Sequence, residues 1–167
     1  MGLDAVVFCN CVETEKLKVP HPFPRLLHIK NDGRPAIRTN DAAKLAAHDA
    51  WMTLPPCKHG DMMVDGCSLG NASGVGVIYD ALSRAQKSFR IPLPILLNNV
   101  LYSGTHCGDF LTLAQVRNLN VELKRLRRLK LTELGIATND AKWIEETITN
   151  LARLVKVAQK VGKPIAF

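Results

Sequence analysis

Aromatic side chains are scarce, at 5% of the 167 residues, so the core has to be built from Leu, Val, Ile and Ala, and stacking platforms for nucleobases are lacking. No apolar run approaches the roughly 18 residues that span a bilayer. The opening Met1-Gly2-Leu3-Asp4 lacks the basic region of a secretory signal, and Val6 stands where a myristoylation signal carries Ser or Thr. Paired C-x-x-C spacing is also missing. The five cysteines, at 9, 11, 57, 67 and 107, are odd in number and fit no disulfide framework. The glycines at 70, 74 and 76 lack the G-x-G-x-x-G order of a dinucleotide site, which leaves close backbone packing as their expected role. These absences argue for a reduced, cytoplasmic protein with no membrane segment and no cofactor.

What is present suits one folded unit. Hydrophobic residues at 47% can fill a core, and charged residues at 22% are too few for disorder, so residues 1–167 read as a single domain. The net charge of +7 favours an acidic partner.

Asp4 to Cys11 is short, apolar and β-branched, which predicts a central strand on which Cys9 and Cys11 face the same way. That pair could serve a metal or redox site, but two small buried hydrophobes are the expected reading. Three prolines at 20, 22 and 24 enforce an irregular stretch. Arg25–Lys30, the turn Asn31-Asp32-Gly33 and Pro35–Arg38 then predict a hairpin. Thr39-Asn40-Asp41 caps a helix whose buried stripe is expected at Ala43, Ala46, Ala47, Ala50 and Leu54, with His48 and Trp51 on its flank as packing residues. Cys57 to Asn71 reads as loop. Further helices are expected with stripes at Ile78, Ala81, Leu82, Ala85 and Phe89; at Leu96, Leu97, Val100 and Leu101; at Val116, Leu119, Leu123 and Leu126; and at Ile144, Ile148, Leu151, Leu154, Val155 and Ala158. The predicted fold is α+β: a small N-terminal antiparallel sheet followed by about five helices, ending in a long helical hairpin.

Chemistry-bearing residues concentrate in Tyr102 to Phe110. Cys107 precedes a predicted helix start, where a thiolate is stabilised, and His106 and Asp109 adjoin it. His106, as the immediate neighbour, points away from Cys107, so a base would have to come from His28, His48 or His59. The structural alternative is a fixed corner, with Gly104 left-handed and Thr105 or Asp109 capping the next helix. A zinc set drawn from Cys57, His59, Cys67, His106 and Cys107 has enough donors but not the usual paired spacing. Arg117, Lys124 and Arg128 form a basic stripe within a segment that also holds Arg125, Arg127 and Lys130. Without stacking aromatics or a known module, it reads as a solvated or docking face and not as a nucleic-acid site.

The opening Met1–Cys11, the block Val100–Phe110 and the ending Val161–Phe167 resemble a family of small single-domain bacterial proteins, some of them grouped with immunity proteins of polymorphic toxin systems. The resemblance covers the whole chain. It implies a bacterial, cytoplasmic origin and a binding role, and it transfers no catalytic residue. The expectation is therefore a non-catalytic protein-binding module, an immunity-type protein that neutralises a toxin, with Tyr102, His106, Asp109, Arg117, Lys124 and Arg128 at its surface. The alternative is a small thiol-dependent or metal-assisted enzyme centred on Cys107.

Overall fold

The structure, a computed structural model, describes residues 2–102, 108–129, 131, 136 and 138–167. Alternation decides the first strand. In β1 (Gly2–Phe8), Leu3, Ala5 and Val7 are buried while Asp4 is exposed, the period-2 pattern of a strand with one face on a core. β1 lies inside a four-stranded antiparallel sheet ordered β4-β1-β6-β5, where β4 is Met63–Asn71, β5 Phe110–Leu111 and β6 Ile165–Ala166. A separate two-stranded hairpin pairs β2 (Leu27–Ile29) with β3 (Pro35–Ile37) around a turn in which Gly33 takes φ +90°.

The class is α+β, as the sequence predicts. The small sheet expected at the N-terminus is instead assembled from strands distributed along the chain. β4 occupies most of the segment read as loop, because its glycines and scarcity of β-branched residues hide a strand that is defined by its pairing with β1. Beyond the last helix the chain adds β6: two residues are too few for a periodic signal, yet they bridge β1 to β5.

Four α-helices and one π-helical turn (Leu96–Val100) accompany the sheet among the described residues: α1 (Ala42–Thr53), α2 (Ala72–Phe89), α3 (Leu113–Leu126) and α4 (Thr138–Val161). The caps are local chemistry. Asp41 accepts from the amides of Ala43 and Lys44, and Asn71 accepts from Gly74. Thr112 and Gln115 close a capping box on α3. α2 and α4 pack on β1 and β4, and α3 packs on α4. The main core joins Leu3, Ala5 and Val7 to the predicted stripes of these helices; only Phe89 departs, at 49% exposed.

α1 reverses its expected face. His48 and Trp51 are buried, whereas Ala43, Ala46 and Ala50 are exposed and Leu54 is 52% exposed. An indole removes far more apolar surface from water than an alanine methyl, so one Trp outweighs an alanine row. Trp51 Nε1 also donates to the carbonyl of Val19, 2.9 Å away, which satisfies its polar atom.

Trp143 of α4 lies over Gly70 and Gly74. A Cβ at Gly74 would come within 2.1 Å of the indole, while one at Gly76 meets nothing within 4 Å. Close packing therefore explains Gly70 and Gly74 but not Gly76. Gly74→Ala should lower the unfolding free energy by about 1–3 kcal/mol through overpacking. Gly76→Ala, exposed in mid-helix, should raise it by about 0.4–1 kcal/mol. Paired urea melts read both signs.

Candidate functional site

The β1–β4 register builds the densest cluster of reactive side chains. Phe8 pairs with Met63, and the Cys9 amide donates to the Met62 carbonyl at 2.7 Å, so the end of β1 runs beside the turn that precedes β4. In that turn Cys57 bridges Gly60, whose φ of +65° closes a tight loop, and the His59 amide lies 3.4 Å from Cys57 Sγ. The strand expected to carry Cys9 and Cys11 ends at Phe8, so both cysteines belong to the turn that follows it.

The two turns bring four donors together. Cys9 Sγ lies 3.7 Å from Cys57 Sγ, and Cys11 Sγ lies 3.4 Å from His59 Nδ1. Cys57 Sγ is 3.6 Å from the same nitrogen, and all four donor atoms fall within 4.8 Å of one another. Cys9, Cys11 and Cys57 are at most 2% exposed. Burial pushes the Cys9 thiol up to about 12 and also raises Cys11, and burial lowers His59 with Lys58 adding repulsion. Without a cation Cys9 and Cys11 stay protonated at pH 7 and are poor nucleophiles. The set could hold one metal ion.

This cluster corrects the metal set expected from the sequence. Cys57 and His59 take part, but their partners are Cys9 and Cys11. Cys67 sits on β4 against the main core, where burial raises its pKa, while Cys9, Cys11 and Cys57 belong to a second core with Trp51 and Met62. His106 and Cys107 lie outside the described residues, as do Gly104 and Thr105, so the Cys107-centred site is not described. The signal that could have found the cluster is a pair of one-residue spacings, Cys-x-Cys and Cys-x-His, 48 positions apart.

The remaining candidates separate. Tyr102 donates its hydroxyl to the Asp109 carboxylate. Asp109 does not cap α3, because that position belongs to Thr112. The backbone of 108–109 is tied to Phe167 through Gly108 N to Phe167 O at 3.0 Å and Phe167 N to Asp109 O at 2.9 Å. Arg117, Lys124 and Arg125 are exposed on α3, whereas the helix ends at Leu126, so Arg127 is its C-cap and Arg128 lies in the exposed turn beyond it and not on the expected helical stripe. Neither a protein-family model, nor a curated protein, nor a solved structure matches the chain.

Beside the second core, His21 and His48 form a buried pair against Trp51. The Phe23 amide donates to His21 Nδ1 at 2.9 Å, so His21 carries its proton on Nε2 and donates it to His48 Nδ1 at 3.0 Å. Burial lowers both pKa values; at His48 the opposing field of Asp49 and the reinforcing field of His28 add smaller effects. A base whose folded pKa is depressed contributes stability above its ordinary value of 6.5, and that stability is lost as pH falls below it. The unfolding free energy should therefore decline on acidification from neutral pH. In His21→Phe/His48→Leu the decline over that window should be smaller. An unchanged slope in urea titrations would contradict the neutral pair.

Proposed function

We propose that the chain is a non-catalytic binding module for an acidic protein, immunity-type in the sense suggested by its resemblance: it occupies a toxin and neutralises it. The observation that carries this reading is the sign of the α3 surface. Glu122 is the helix's one acidic residue, and it is buried, accepting from the amides of Ile95 and Leu96 at 2.9 and 2.8 Å. The outward face is left with Arg117, Lys124 and Arg125, and the turn that follows adds Arg127 and Arg128, none in an ion pair among the described residues. At its centre Val121 is 47% exposed and lines a cavity of about 270 Å³ with Pro92, Pro94, Ile95, Asn118, Arg125 and the inward-bonded Glu122. An apolar anchor ringed by cations suits an acidic protein surface, with charge accelerating the encounter. Binding to nucleic acid through this face would rest on phosphate contacts alone and would be lost steeply with salt.

A photoreactive side chain at position 121 in bacterial cells should crosslink one acidic protein, and expression of the chain should protect cells against that protein. Arg117→Glu/Lys124→Glu/Arg128→Glu should slow association at least roughly tenfold while leaving the melting temperature nearly unchanged. Crosslinks to nucleic acid, or a partner whose association ignores the triple reversal, would overturn the reading.

A further inference from the structure

We propose that Cys9, Cys11, Cys57 and His59 bind one zinc ion in a closed tetrahedral site that orders the N-terminal lobe. The distances themselves select the geometry. With Zn–S near 2.3 Å and Zn–N near 2.0 Å, a regular tetrahedron has edges of about 3.8 Å between sulfurs and about 3.5 Å between sulfur and nitrogen. The observed Cys9–Cys57 separation of 3.7 Å and the 3.4 and 3.6 Å from His59 Nδ1 to Cys11 and Cys57 fall on those edges. No donor pair is more than 4.8 Å apart, so none needs to close by more than about 1.3 Å to reach a regular tetrahedron.

A disulfide fits less well. It needs sulfurs about 2.05 Å apart, and it would leave one buried thiol and the half-buried imidazole beside it with nothing to bind. Three thiolates and one imidazole are a complete donor set for a single zinc ion, whereas the common iron–sulfur clusters draw on four thiolates. On binding, the three thiols each lose a proton to solvent, and His59 coordinates neutral through Nδ1 and keeps its proton on Nε2. Zn²⁺ with three thiolates carries a net charge of −1, and the exposed Lys58 lies between two ligands in the chain to offset it. With every coordination position supplied by protein the site is structural, since catalytic zinc keeps a position open.

The lobe needs such a centre. Its core comprises Cys9, Cys11, Trp51, Cys57 and Met62, so three of its five buried hydrophobic residues are cysteines. Residues 9–26 and 54–62 contain no helix and no named strand. That is little apolar burial to order two long segments, and metal binding energy acts directly as folding energy. The ligand-bearing turn is also fastened to the rest of the molecule: Asn10 Nδ2 donates to the Val161 carbonyl at 3.4 Å, and Glu13 pairs with the buried Lys163. Zinc would thereby anchor the lobe to the end of α4, on a different element from the basic face of α3. The inference does not rest on the partner proposed above.

The full chain, purified without chelator, should carry about one zinc per molecule by elemental analysis, as should the Cys67→Ser control. Cys57→Ser and His59→Ala should lose it. In the wild type, zinc removal should speed amide exchange in 9–26 and 54–62 before the sheet core is affected. Should those variants fail to fold, wild-type protein reconstituted with Co²⁺ decides: thiolate-to-cobalt absorption is expected at one equivalent. Cobalt spectra without a thiolate band, zinc that persists in Cys57→Ser or is lost in Cys67→Ser, or a Cys9–Cys57 disulfide in freshly purified protein would each overturn the proposal.

Discussion

The antiparallel pairing of β1 with β4 is the constraint on which the other features depend. Seven residues of β1 are matched to β4, from Gly2 with Asn71 to Phe8 with Met63, with register shifts after Leu3 and after Val7. On one face the pairing presents Leu3, Ala5 and Val7, with Leu69, to the helices that form the main core. At one end it delivers Asn71 as the cap of α2, and at the other it sets Cys9 against Met62. A one-residue slip would turn the buried side chains of β1 outward and separate the Cys9–Cys11 turn from the Cys57–Gly60 turn. Fold and site are therefore set by the same register.

Two cores of unlike construction meet at β1. The larger is held by aliphatic burial from Leu, Val, Ile and Ala in α2, α3 and α4. The smaller has one Trp, one Met and three thiols, and around it lie polar groups with specific demands, namely the His21–His48 pair and the Trp51 indole nitrogen bonded to Val19. A core of that composition depends on directional bonds more than on area. The two are joined by small polar fastenings around the end of α4, where Lys163 meets Glu13 and Asn10 donates to the Val161 carbonyl. The basic face of α3 lies on the aliphatic part, which gives it a rigid support.

How much of this was legible follows from the range of each signal. The stripes of α2, α3 and α4 were readable because 3.6-residue periodicity is local and each stripe is rich in Leu, Ile or Val; nearly every residue named on them is buried. The hairpin at Asn31-Asp32-Gly33 was readable for the same reason. α1 misled because an alanine row repeats regularly without contributing much burial, while His48 and Trp51 carry the weight. β4 misled because Gly66 and Gly70 are tolerated by a partner strand that sequence does not reveal. Half of the metal site was visible at Cys9 and Cys11 and half at Cys57 and His59. Joining them needs a contact across 48 residues, which only the β1–β4 pairing supplies. The expected set took Cys67, His106 and Cys107 in place of that distant pair, because Cys9 and Cys11 read as small buried hydrophobes on a strand.

No helix among the described residues is long and apolar enough to cross a membrane. The central claim is that three sulfurs and one imidazole nitrogen surround a single zinc ion at the end of β1. X-ray absorption at the zinc edge of the purified chain measures that shell without perturbing it. The account predicts about three sulfur neighbours near 2.3 Å and one nitrogen near 2.0 Å. A shell of oxygen and nitrogen alone, the signature of zinc held loosely at surface carboxylates and histidines, would contradict it.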